Sequence, residues 1–357
     1  MIGTSVYLSK ENQAFHQKWI EKAAKNGFSS IFTSLHIPED DTKTYKELLI
    51  HLGYEAKKHQ MKLIADISEK SFAYLNMDVN TIDQLLEWGI MALRVDDGLS
   101  VEEIVHLSKK IKISLNASTI TEELLQELIN KGLNTKNIEA MHNFYPRPET
   151  GLSRNAFIQK NKLLKRNQIG VSAFIPGDGI KRQPLYHGLP TLEEHRDISP
   201  IHAYLDLRKN GLVDTIYIGD PSLNDDTMEG FTYLADNIIP IRYRGENRNE
   251  FVDFHTYLEG VQCNRPDAAR DVIRFVSSRI DLQGKGYIHP NHTVSRKKGS
   301  ITIDNDHYGR YAGEIQIARI DLKQDDKVNV IGRIIEQDIP LLDFVGGGNK
   351  VLLQKVN

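Results

Sequence analysis

The chain has 357 residues, 40% hydrophobic and 26% charged, which is the usage of an ordinary folded protein and excludes a disordered or fibrous one. Lys plus Arg number 45 against 48 Asp plus Glu, a net charge of -3 that offers no general field to a nucleic acid or an anionic membrane, so neither is an expected partner. The N-terminus carries no basic region followed by an apolar one, no run of about 18 apolar residues occurs, and the single cysteine, Cys263, can close no internal disulfide; a cytoplasmic location and an inert thiol are the expectations.

In chain order, β-rich runs are predicted at 2–8, 29–35, 62–68, 90–96, 112–118, 137–144, 169–175 and 214–220, with amphipathic helical stretches between them. The first such stretch places Phe15, Trp19, Ile20 and Ala23 at helical spacing and meets Gly27 where a helix would stop. Eight alternating units predict an α/β fold with a parallel sheet, and eight is the number that closes a (β/α)₈ barrel; an open doubly wound sheet is the rival. Past residue 238 the pattern changes. Runs at 271–281, 300–306, 311–322, 327–335 and 340–346 are β-rich and separated by Gly, Asn and Asp, which predicts a barrel domain over 1–238 and a smaller, mostly β domain over 239–357.

A barrel carries its site at the C-terminal ends of its strands. There the sequence offers Asp66, then Arg94 and Asp96, Asn116, the cluster His142, Asn143, Tyr145, Arg147 and Glu149, then Asp178, Lys181 and Arg182, and last Asp220. Arg94 and Asp96 alternate within an apolar strand and face inward together if Leu93 and Val95 pack outward, a costly placement unless the charges are paired or used.

No His-x-x-Glu-His, paired-His or calcium-loop pattern is present, no Gly-x-Ser-x-Gly elbow and no phosphate-binding Gly-x-x-x-x-Gly-Lys; no metal and no cofactor are expected. Carboxylates without metal ligands suit glycoside cleavage, in which two acids divide the work, and Asp96, Glu149 and Asp178 are the catalytic candidates. The cations ask for an anionic sugar. Lys181 and Arg182 follow a glycine-bearing turn after the seventh strand, where barrels commonly hold phosphate, and Arg147 suits a second anion such as a carboxylate. The remaining rim residues, Asp66, Arg94, Asn116, His142, Asn143 and Tyr145, are expected to contact the sugar.

Three separated stretches, "IGTSVYLS" (2–9), "HNFYPRPETGLS" (142–153) and "AFIPGD" followed by "PLYHGLPTLEEHR" (173–196), resemble the bacterial 6-phospho-N-acetylmuramidases, and the likeness extends over essentially the whole chain. The resemblance implies a (β/α)₈ barrel followed by a cyclophilin-like β domain. It also implies hydrolysis of the β-1,4 bond of N-acetylmuramic acid 6-phosphate linked to N-acetylglucosamine, a cytoplasmic step in cell-wall sugar recovery. That partner, a phosphorylated amino-sugar disaccharide, carries both a phosphate and a lactyl carboxylate. On this reading Asp96 and either Glu149 or Asp178 flank the bond; the alternative is attack by the substrate's own acetamido oxygen, steered by Asp96 and Asp97. The second domain either lends residues to the site, through 241–249 or the basic 296–298 segment, or mediates a homodimer. An epimerase or aldolase acting on a sugar phosphate and a non-catalytic phosphosugar-binding protein are the other readings.

Overall fold

A computed structural model describes residues 1–35, 45–68, 70–71, 75, 77–96, 98–248, 252–282 and 287–356. The chain divides into two compact units, 1–229 and 230–357. In the first, eight parallel strands form a closed barrel: β1 (Ile2–Ser5), β2 (Ser30–Ser34), β3 (Lys62–Ile67), β4 (Ile90–Val95), β5 (Lys112–Asn116), β6 (Ile138–Met141), β7 (Gly170–Ile175) and β8 (Thr215–Ile218). Closure is made by β1, which pairs with both β2 and β8, and it removes the open-sheet alternative.

Among the described residues, the helices between and after these strands are α1 (Gln13–Lys25), α2 (Tyr45–Lys58), α3 (Asp83–Glu87), α4 (Val101–Ser108), α5 (Glu122–Asn130), α6 (Arg154–Arg166), α7 (Pro200–Asn210) and α8 (Asp225–Ala235). Local chemistry sets their ends. Ser100 and Glu103 form a reciprocal capping box on α4, Thr121 caps α5, Ser153 caps α6, and Ser199 caps α7 just before Pro200. Helix α1 buries Trp19, Ile20 and Ala23, and Trp19 Nε1 donates to Thr4 Oγ1 at 2.9 Å, tying the helix to the first strand.

Strands buried on both faces are apolar nearly throughout. Their inward residues Phe32, Ile64, Ala92, Met141, Phe174 and Tyr217 fill the barrel, and Phe144, just after β6, closes this layer from above with its ring centroid 5.1 Å from that of Phe174. The barrel is a packed core whose upper surface becomes the floor of the site.

The second unit holds a mixed sheet in the order β10-β15-β9-β14-β12-β13-β11, built from β9 (Ile238–Gly245), β10 (Gly260–Cys263), β11 (Val272–Arg274), β12 (Ser300–Asp304), β13 (Ile315–Ala318), β14 (Val328–Ile334) and β15 (Lys350–Lys355). Among the described residues, only the β9–β15 pair of this sheet is parallel. The run 340–346, expected as a strand, instead falls mostly in a 3₁₀ helix spanning Glu336–Phe344, with Pro340 inside it. A proline can supply no N–H to a ladder, and here the 3₁₀ segment accommodates it. Arg242, in the stretch 241–249 considered for the site, is committed internally: its Nε and Nη2 donate to Asp338 at 2.9 and 2.7 Å.

Candidate active site

Inward positions on a barrel strand recur every second residue, so the residue two beyond each core side chain stands at the mouth. Counting on from Phe32, Ile64, Ala92 and Met141 gives Ser34, Asp66, Arg94 and Asn143, a polar layer on an apolar one. Arg94 is 3% exposed and organises this layer. Its Nη1 donates to Asp66 Oδ1 at 2.6 Å and to Asp96 Oδ1 at 3.2 Å, and its Nη2 donates to Asn143 Oδ1. Asn116 Nδ2 adds a second donor to Asp96 Oδ1 at 2.7 Å.

Two consequences follow from the shared Nη1. The bonded oxygens of Asp66 and Asp96 lie no farther apart than the two bond lengths end to end, 5.8 Å, so two carboxylates from adjacent strands meet over one cation. The set of three carries one net negative charge. Burial opposes the charge on Arg94, but Asp66 and Asp96 outweigh it and hold the guanidinium above its usual range. Asp66 is buried, whereas about a third of the Asp96 side chain is exposed and its Oδ2 has no protein partner among the described residues. Asp97 lies outside the described residues.

His142 does not stand in this layer. One residue past Met141, its side chain faces the helices; it is fully buried, and its ring packs on Phe157 of α6 with centroids 4.6 Å apart. Asn161 Nδ2 donates to the Gly211 carbonyl, which turns Asn161 Oδ1 toward His142 Nε2 at 2.7 Å and makes that nitrogen the protonated one. Nδ1 then accepts from Ser118 Oγ at 3.1 Å, and Ser118 Oγ accepts the Asn143 N–H at 3.0 Å. The sugar contact expected of His142 is thereby replaced by a supporting role: it holds Asn143, which holds Arg94.

Burial pushes His142 down from 6.5 to about 4, against the opposing effect of the Asn161 bond. The unfolded chain therefore takes up this proton first as the pH falls through 6.5, and the stability contributed by the neutral ring is progressively lost toward pH 4. Between pH 7 and about pH 4.5 the loss should be about 2 to 3 kcal/mol. It is measured as the difference between wild type and His142→Gln in urea unfolding followed by tryptophan fluorescence, and equal pH slopes would refute it. Both tryptophans, Trp19 and Trp88, belong to the barrel unit and report on it alone.

Asp178 serves structure in place of the chemistry expected of it. Its Oδ1 accepts the Asn224 N–H at 2.9 Å and its Oδ2 the Thr227 hydroxyl at 2.6 Å, so both oxygens cap the start of α8. Glu149, by contrast, is exposed and its carboxylate has no protein partner among the described residues. Its backbone sits at φ +73°, a left-handed conformation costing a non-glycine residue about 1 kcal/mol. What sustains it is Glu193, which accepts the N–H groups of Glu149 and Gly151 at 2.8 and 2.7 Å.

Arg196 completes that clamp, donating to Glu193 at 2.6 Å and to the carbonyls of Tyr145, Arg147, His187 and Gly188. The Arg196 hydrogen bonds, with the two N–H donors, hold the Glu193 carboxyl down to about 2. Glu193 and Arg196 are not among the residues expected from the sequence. They sit three apart in "LEEHR", where a helical ion pair on a wet surface is the ordinary reading, and their bonds reach 44 and 51 residues back. Tyr145 is half-buried at this clamp and Arg147 is exposed.

On the opposite arc of the rim, the segments after β1 and β7 enclose a cavity of about 470 Å³ lined by Tyr7, Phe15, Lys181, Arg182 and Tyr186 among others. The Arg182 guanidinium lies 4.1 Å from the centroid of the Tyr7 ring and 5.7 Å from that of Phe144, and it makes no hydrogen bond or ion pair among the described residues. A guanidinium stacked on aromatic rings keeps its N–H edge available to an anion. Lys181 is less free, since its Nζ donates to the Gly177 carbonyl and stands 3.7 Å from Asp220.

Elsewhere, Glu194, His195 and Asp206 bring ligand atoms within 4.8 Å of one another. Arg154 donates to both carboxylates of this trio, and His195 Nε2 contacts Asp206 at 2.9 Å, which reads as an ion-pair latch between α6 and α7.

Two family models, described as 6-phospho-N-acetylmuramidase, N-terminal and 6-phospho-N-acetylmuramidase, C-terminal, match residues 2–233 and 240–354. Among solved structures, a conserved protein of unknown function from Enterococcus faecalis is 39% identical, covers 99% of this chain and 96% of its own, and superimposes with a TM-score of 0.90. An uncharacterized B. cereus protein, at 24% identity, 99% coverage of each chain and a TM-score of 0.76, shares the fold. No curated protein matches the sequence.

Proposed function

The chain belongs to the 6-phospho-N-acetylmuramidase family, and from that premise we propose that it hydrolyses the β-1,4 bond between N-acetylmuramic acid 6-phosphate and N-acetylglucosamine, releasing both sugars, as a cytoplasmic step in cell-wall sugar salvage. The observation that carries this reading is the presence, on one barrel rim, of a carboxylate with a free oxygen, Asp96, and an unpaired cation on an aromatic platform, Arg182. The first suits the anomeric centre and the second the phosphate.

In this reading Asp96 Oδ2 is the reacting atom. It acts either as nucleophile or base, or by steering the substrate's acetamido oxygen onto the anomeric carbon. Arg94 and Asn116 hold the other oxygen of Asp96 and so fix its direction of approach. With Asp178 committed to capping α8, Glu149 is the remaining candidate for the acid that protonates the leaving sugar. Asn143 and Tyr145 are proposed to meet sugar hydroxyls, and Arg147 the lactyl carboxylate.

An aldolase would need a Schiff-base lysine at the mouth. Lys62 and Lys112 open β3 and β5 at the opposite end of the barrel, and Lys112 is paired with Glu139 at 2.5 Å.

Incubating the protein with the phosphorylated disaccharide should release free N-acetylglucosamine. Binding without release would favour a phosphosugar-binding protein. Arg182→Ala should raise KM for the phosphorylated disaccharide by about 10- to 100-fold, the worth of one or two charge-assisted hydrogen bonds, and leave KM for the unphosphorylated one nearly unchanged. Equal effects on both would place Arg182 away from the phosphate.

A further inference from the structure

The corner at the end of β8 contains an anion that this chemistry leaves unused. Asp220, two residues past the strand, is fully buried, and its carboxylate is saturated by main-chain donors. Oδ2 accepts the N–H of Gly177 at 2.9 Å and of Leu189 at 3.2 Å, and Oδ1 accepts the N–H of Arg182 at 3.1 Å. Lys181 Nζ stands 3.7 Å from Oδ2. Three converging N–H groups and an ammonium, all from the loop after β7, are the kind of donor set with which a barrel rim holds a phosphate. The backbone is shaped to this occupant: a Cβ on Gly177 would fall 2.9 Å from the Asp220 Cβ and 2.4 Å from the Ser222 carbonyl oxygen.

We infer that Asp220 fills, as an internal surrogate, the nest that would otherwise receive a substrate phosphate, and that its function is to position Arg182, whose side chain then forms the external phosphate site. Arg182 is fixed at both ends. Asp220 holds its N–H, and the ring of Tyr7 supports its guanidinium from 4.1 Å. Tyr7 is itself anchored at the same corner, since its hydroxyl donates to the carbonyl of Gly219 at 2.6 Å. A single β8 corner therefore sets the position of both layers of the stack. Asp220 touches no substrate in this scheme; it is a positioning residue, and the inference rests on the phosphorylated-substrate reading above.

The test compares full-length wild type, Asp220→Asn and Asp220→Gly on the phosphorylated disaccharide and its unphosphorylated counterpart. The amide of Asp220→Asn turns a donor toward the N–H groups and should displace Arg182. KM for the phosphorylated substrate should rise about tenfold or more, with kcat changed by less than about threefold and the unphosphorylated substrate unaffected. The same KM defect in Asp220→Gly should be reversed by added formate, which restores a carboxylate to the nest. Equal losses on both substrates, a fall in kcat alone, or no reversal by formate would overturn the inference. So would failure of both variants to fold even in formate, since Asp220 would then serve folding rather than Arg182. If the wild type itself does not prefer the phosphorylated substrate, the functional reading fails; a wild-type preference retained in Asp220→Asn refutes the inference alone.

Discussion

Asp96→Asn is expected to lower kcat on the phosphorylated disaccharide by about 10²- to 10⁴-fold, with KM changed by only a few fold, because the lost interaction is one made at the reacting centre. The substitution is nearly isosteric. The amide it introduces can still accept from Arg94 and Asn116 through its carbonyl oxygen, so the bonds that orient the side chain survive and only the charge on the free atom is lost. A drop of less than about tenfold would remove Asp96 from the chemistry. Pairing the variant with a substrate analogue lacking the acetamido group divides the two mechanisms. If the analogue turns over normally in the wild type, attack by the acetamido oxygen is eliminated and Asp96 itself must attack or activate water. If the analogue is inert, Asp96 steers a substrate-assisted step.

Arg94→Met should both abolish activity and destabilise the barrel unit by about 3 to 5 kcal/mol, the range seen when one partner of a buried ion pair is removed. The cause is Asp66. Buried beneath the mouth, it would keep its carboxylate without the guanidinium 2.6 Å away, while Asp96, more exposed, could turn to water. Removing the charge from Asp66 as well should recover stability without recovering activity. Asp66→Asn combined with Arg94→Met is therefore expected to unfold at higher urea than Arg94→Met alone, by tryptophan fluorescence, while remaining inactive. If the double variant is no more stable than the single, the loss comes from the missing Arg94 bond to Asn143 and not from a stranded charge.

Much of the barrel is legible before any coordinates. All eight strands lie within the predicted runs, because a parallel sheet covered on both faces leaves unbroken apolar stretches and each helix announces itself by spacing and caps. The second unit is harder to read. Strands β9, β10 and β15 are short or flanked by charge, and nothing local distinguishes the Pro340 segment from a strand.

In the site, the inward pairing of Arg94 and Asp96 follows from period two and the cost of burying charge, and the same period, applied from Met141, assigns His142 to the outer face and Asn143 to the inner. The crowded polar composition of the loop masks that signal. Asp178, Glu193, Arg196 and Asp220 are different. Each meets at least one main-chain group 43 to 51 residues distant, and no pattern of side chains records which N–H or carbonyl it will find.

The aromatic layer closed by Phe144 has a geometric outcome for what can be processed. Because the described residues leave no passage downward through this layer, a ligand held by Arg182 beside β1 and β7 would reach the Asp96 group on β4 and β5 by lying across the rim. If the proposed roles of Arg182 and Asp96 hold, the mouth would work as a ruler, gauging the span between a ligand's anionic end and its cleavable bond. On that proposal, a molecule carrying the right anion at the wrong distance would be captured at one mark and never read at the other.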